Sequence, residues 1–200
     1  MVPPARIVGS FLVFVLLACP AGQAQDGAYT SPAGLDILVQ RASTIVRGQV
    51  LSAKVEPHPQ FPNIQTLVVT LSITKVLKGE AASTLTFRQF IWDVHDSSAF
   101  AGYKQSGELL LFLNPVSPYG LTSPVGLEQG RFRILRDANG KRYALNGRRN
   151  LGLSNQVISK ANARGIKLPP QVRDMLAKPG GSVPLDLLET AIQAFAGASR

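Results

Sequence analysis

The sequence predicts a mainly β protein: a small OB-like β-barrel with a short helix before it and an amphipathic helix after it. Three observations carry this. Between Thr44 and Leu145 apolar residues recur at every second position or run unbroken over five, the patterns of half-buried and fully buried strands. Helical spacing shows at the two ends, at Leu35, Leu38, Val39 and Ala42 and again at Leu187, Leu188, Ala191, Ile192 and Phe195. Turn residues punctuate the strands, among them Pro57, Pro59 and Pro62, Lys78-Gly79, Asn114-Pro115 and Asn139-Gly140.

Taken in order, the chain opens with Arg6, an apolar run from Ile7 to Ala18 and the small-residue stretch Cys19-Pro20-Ala21-Gly22-Gln23-Ala24, the three-part order of a secretory signal. A run of this length falls short of the roughly 20 residues that cross a bilayer as a helix. Two processing routes fit. Cleavage after Ala24 puts Gly22 and Ala24 at the two small positions the peptidase reads, whereas Leu16-Leu17-Ala18-Cys19 resembles a lipobox that would make Cys19 a lipidated N-terminus. The chain is therefore expected to be exported, periplasmic or extracellular, and to meet a membrane only through a lipid on Cys19. Cys19 is the single cysteine, so the mature domain holds no disulfide or thiolate ligand and must be stabilised by packing. At 45 % hydrophobic content there is enough apolar material for that.

Residues 25–33 read as a tether, and Leu35 to Ala42 as the first helix. Thr44 to Val55 is a strand with Gly48 as its bulge, and Ile64 to Lys78 is the clearest strand, with Leu67, Val69, Leu71 and Ile73 on one face and threonines and a serine on the other. Thr84 to Ile91 places Leu85, Phe87, Gln89 and Ile91 on one side. Residues 92–107 read as a long loop. Leu109 to Leu113 is apolar on both faces and predicts a strand buried between layers. Arg131 to Arg136 and Lys141 to Leu145 form a hairpin about Asp137-Ala138-Asn139-Gly140, where Asn-Gly offers positive φ angles. The organisation expected is a signal over 1–24, a tether over 25–33, the barrel over 34–150, a basic, mobile excursion over 151–182 with one helix near 155–164, and a helix over 183–196 docked on the barrel.

The formal net charge of +9 is concentrated: Arg131 to Lys178 holds twelve lysines and arginines against Asp137 and Asp174. Outside the cytoplasm such a segment faces anionic envelope polymers, lipid headgroups or acidic partner surfaces. Chromosomal nucleic acid is not expected in that compartment, and single-stranded nucleic acid on an OB-type sheet is disfavoured because aromatic interleaving is thin: Tyr143 is the only ring on the second hairpin strand and Phe132 should face the core. Arginine forks grip phosphate and carboxylate through paired hydrogen bonds, which makes Arg131, Arg133, Lys141, Arg142, Arg148 and Arg149 the candidate binding residues, with Arg131 and Arg133 on one side of their strand.

The run Ala42-Ser43-Thr44-Ile45-Val46-Arg47-Gly48-Gln49-Val50, followed by Thr74-Lys75-Val76-Leu77-Lys78-Gly79 and Gly107-Glu108-Leu109-Leu110-Leu111-Phe112-Leu113, resembles the netrin-like OB-barrel module of tissue inhibitors of metalloproteinases. It is similar also to uncharacterised exported bacterial proteins with the same strand pattern. Over about residues 35–150 the resemblance implies a curved barrel with a helix against it. It does not carry function, because those inhibitors act through an N-terminal cysteine in a disulfide-held domain.

Chemistry is sparse. Trp92-Asp93-Val94-His95-Asp96 is the one place where an imidazole and two carboxylates sit together, and His95 with Asp93 or Asp96 supplies two of the three ligands a hydrolytic metal needs. The only other histidine is His58. No Gly-x-Ser-x-Gly elbow or phosphate loop is present, and no spacing singles out a carboxylate pair. No metal, cofactor or catalytic residue is assigned. The expectation is a non-enzymatic exported module binding an anionic envelope component or partner protein, against an enzyme or protease-inhibitor-like protein working through the 92–107 loop.

Overall fold

The chain's computed structural model describes residues 31–91 and 102–198. Helix α1 (Leu35–Arg41) leads into β1 (Thr44–Pro57), β2 (Gln65–Lys78), β3 (Thr84–Phe90) and β4 (Glu108–Leu113). A 3-10 turn (Leu127–Gln129) precedes β5 (Arg131–Arg136) and β6 (Arg142–Asn146); α2 (Val157–Ala163), α3 (Pro170–Leu176), the short β7 (Val183–Pro184) and α4 (Leu185–Gly197) follow. The seven strands form one antiparallel sheet in the order β3-β2-β1-β4-β5-β6-β7. The protein is mainly β, with a short N-terminal helix and a C-terminal helix, as the sequence patterns predict.

The sheet curls because β1 is bent. Its register against β2 slips between Ile45 and Val46, between Arg47 and Gly48, and between Val50 and Ser52. Gly48 sits at one of these slips, where a Cβ would stand 2.5 Å from the Ser72 carbonyl oxygen, so only a glycine lets the two backbones approach. The curl is not closed by a strand ladder, and here the expected barrel differs. Residues 121–124 span the gap instead, through single bridges from Leu121 to Arg88 and from Pro124 to Leu113. Prolines at 115, 118 and 124 deny this segment the donors a longer ladder would need.

Two cores result. Inside the curl lie Val46, Val50, Leu67, Val69, Leu71, Phe87, Leu109, Leu111 and Leu113. The opposite face of the sheet, with Ile45, Leu110, Phe112, Phe132 and Ala144, is covered by all four helices. β4 contributes to both, which is why its sequence is apolar at successive positions. α1 packs through Leu35, Leu38 and Val39, and its C-terminal end is tied to β2 by Lys78, whose Nζ donates to the carbonyls of Val39 and Ala42 at 2.7 Å each. Burial holds the Lys78 ammonium below the usual lysine range.

Residues 151–182 depart from the expected excursion with one helix. They form two helices, and Leu153, Val157, Ala161, Ile166, Leu168, Val172, Met175 and Leu176 enter the helix-side core. The polar residues that dominate this stretch are its outer face. The β5–β6 turn also differs in kind. Asp137 Oδ1 accepts from the amides of Asn139 and Lys141 at 2.9 Å each, and only Gly140 has positive φ, so the aspartate organises the turn rather than an Asn-Gly pair.

Candidate functional site

The arginines of β5 fall on both faces of the sheet, Arg131 and Arg133 on one and Arg136 on the other, and meet different surroundings. Arg131, a candidate binding residue on the sequence pattern, is not available to a ligand: it is only 5 % exposed. Its guanidinium lies 4.5 Å from the centroid of the Tyr103 ring, is ion-paired to Glu128 and fills the space beside Gly102 that any Cβ would need. Tyr103 donates to Gln89 Oε1 at 3.0 Å, and burial pushes its hydroxyl up to about 12, against the opposing pull of Arg131. Arg131 is thus a structural strut under residues 102–103. Two residues on, beyond that cover, Arg133 is exposed.

The other face of β5 carries Phe132, Ile134 and Arg136. Phe132 and Ile134 run under the helices, and where the helix layer ends a cleft of about 580 Å³ opens. Its walls include Arg47, Thr74, Ser106, Glu108, Arg136 and Arg142, drawn from β2, β1, β4, β5, β6 and the turn before β4. Strand register brings them together. Glu108 pairs with Gln49, one alternation from Arg47, and Arg136 is the direct cross-strand partner of Arg142.

Glu108 is the hub of this cleft. Its Oε1 accepts from Arg47 at 2.6 Å and lies 3.5 Å from Arg142, while its Oε2 accepts from Arg136 at 3.1 Å. Arg47 reaches behind, donating through Nε to Glu189 of α4 at 2.8 Å, and Lys75 meets the other Glu189 oxygen at 2.6 Å. Burial disfavours the Arg47 guanidinium, but hydrogen bonds and charge from Glu108 and Glu189 outweigh that, leaving it above the ordinary arginine value. The inner pair is well shielded, with side-chain exposures of 12 % for Arg47 and 9 % for Glu189; Arg136, at 60 %, and Arg142, at 38 %, open to solvent. Four cations thus meet two carboxylates, and the surplus positive charge sits at the mouth.

Among the other candidates, Lys141 is exposed with Nζ 5.7 Å from the Tyr143 ring centroid, and Arg149 is exposed at φ 55°. Arg148 is half-buried, and its amide donates to Asn146 Oδ1 at 3.0 Å. The turn that presents both arginines is fixed by Asn150, fully buried, whose Nδ2 donates to the carbonyls of Ala144 and Gly181. Trp92, Asp93, His95, Asp96 and Cys19 lie outside the described residues. His58 is buried and ties two loops: its Nδ1 accepts from the Gln60 and Phe61 amides, which leaves Nε2–H to donate to the Tyr119 carbonyl at 2.8 Å. Among the described residues no three His, Cys, Asp or Glu side chains gather as metal ligands, and no helix is long and apolar enough to cross a membrane.

Of these residues the sequence pattern points to Arg142 as a binding residue, and not to Arg47, Lys75, Glu108, Arg136 or Glu189 as parts of one site. The available signal was charge placed inside otherwise apolar or threonine-rich strands, Arg47 after Ile45-Val46 and Glu108 before Leu109. Comparison with protein-family models, with curated proteins and with solved structures finds no match.

Proposed function

We propose that this chain is an exported, non-enzymatic binding module of a bacterial cell envelope, whose basic side contacts an anionic polymer or the acidic surface of a partner protein. Support for export is the order of Arg6, the apolar run and the small residues to Ala24. The observation that carries binding is the surplus of positive charge at the cleft mouth, where Arg136 and Arg142 share one carboxylate, with the exposed Arg133, Lys141 and Arg149 on the same hairpin and the turn after it.

The test is retention on dextran sulfate eluted in rising salt. Replacing Arg133, Arg136, Arg142 and Arg149 by Gln should lower the eluting salt well below that of a control with the same charge loss at the exposed Lys54, Arg164, Lys167 and Lys178. Equal shifts in the two variants would mean that only net charge matters, and the reading would fall.

A further inference from the structure

We infer that the cleft at Glu108 holds one compact dianionic oxyanion of the phosphate-monoester class, gripped by Arg136 and Arg142. This deepens the binding-module reading and rests on it. The starting point is an arrangement that costs stability. Arg136 and Arg142 face each other directly across the β5–β6 ladder, and like charges so placed repel. The carboxylate between them does not neutralise both. Glu108 gives its closest contact, 2.6 Å, to Arg47, which leaves Arg142 at 3.5 Å from the same oxygen and Arg136 on the other oxygen alone. A protein that breaks a local rule in this way commonly does so at a site of function.

The geometry supplies what an incoming oxyanion needs. Each guanidinium has five N–H donors, and Glu108 engages few of those of Arg136 and Arg142. Both side chains open to solvent, so their forks are reachable without unfolding anything. Ser106, held at φ 64° in the turn that delivers Glu108, adds an exposed hydroxyl at the rim. Behind them the ion pairs of Arg47 with Glu108 and Glu189 anchor the floor. Charge selects the class. With Lys75 and Glu189 included, four cations against two carboxylates leave a surplus of two positive charges at the cleft, which a phosphate monoester, carrying about −1.5 to −2 at neutral pH, balances and a lone carboxylate does not. Glu108 acts here as a positioning residue that spaces the forks while opposing the anion's charge.

Titration calorimetry of the intact chain with glycerol 3-phosphate tests this, with acetate and a phosphate diester as comparisons. Binding with Kd below about 1 mM is expected, at least about tenfold tighter than for either comparison. Arg136→Gln and Arg142→Gln should each weaken it about tenfold with an unchanged unfolding midpoint, and Glu108→Gln should tighten it, because the competing charge is gone. A merely structural Glu108 would give no gain. No binding, equal affinity for acetate, or indifference to both arginine variants would overturn the assignment. Binding to phosphatidic-acid vesicles alone, lost in the arginine variants, would keep the class and place its source in a lipid headgroup. Salt-sensitive retention on dextran sulfate without phosphate-monoester binding would sink the cleft and spare the broader reading; the reverse result would sink the polymer and spare the cleft.

Discussion

Arg131 and Arg136 stand at the two ends of one six-residue strand and have opposite fates. Arg131 is packed away beside a tyrosine ring with its own carboxylate, while Arg136 is open to solvent and shares Glu108 with two other arginines. The difference lies in which face of the sheet each side chain takes and what covers that face. At Arg131 residues 102–103 lie over the strand; at Arg136 the helix layer has ended. An arginine under cover is a structural element, and an arginine at an opening is available to a ligand.

The largest effect should come from breaking the covered end. Arg131→Ala removes a buried side chain and the packing under Tyr103, while Glu128, half-exposed, returns to water, so chemical unfolding should show a loss of about 3 kcal/mol from the cavity; a loss below about 1 kcal/mol would mean that cover does not make this arginine structural. Next in size is an alkaline effect at the same place. Tyr103 titrates near 10.0 when unfolded and near about 12 when folded, so the unfolded chain loses this proton first. Its contribution is complete below pH 10.0 and falls away as pH rises toward about 12, by up to about 3 kcal/mol, and Tyr103→Phe should flatten that part of the stability profile. Tyrosinate absorbance should show one of the four tyrosines ionising late. The smallest effect is at the open end. Arg136→Gln removes an exposed ion pair and should change stability by less than about 0.5 kcal/mol, even though it weakens anion binding. A large loss there would erase the contrast.

Much of the scaffold was legible in the residues. Period-two alternation in β2, the double-sided apolar run of β4 and the i, i+3, i+4 stripe of α1 each reported burial directly, because side-chain direction follows backbone periodicity. The 151–182 segment was not legible in this way. Two short helices with a narrow buried stripe, rich in exposed Lys, Arg and Asn, resemble a loop until the neighbouring α1 and α4 are present to cover that stripe. For the site, Arg142 was visible from its place in the basic hairpin. The fate of Arg131 was not, since alternation placed it beside Arg133 but could not tell that residues 102–103 would cover one and not the other.

By itself, then, the sequence determined the mainly β class, strands β1 to β6, the terminal helices, the bulge at Gly48 and the basic character of the second half, though not the short β7, which stands where the pattern predicts the helix over 183–196 to begin. Those properties are local: they depend on backbone period, turn chemistry and composition, which a few neighbouring residues carry. Tertiary structure alone decided that the sheet stays open, that Arg131 is a strut, and that Arg47, Glu108, Arg136, Arg142 and, from the last helix, Glu189 form one charged cluster. Charge pairing depends on distance in space, and residues separated by 142 positions reach 2.8 Å only when β1 and α4 have packed.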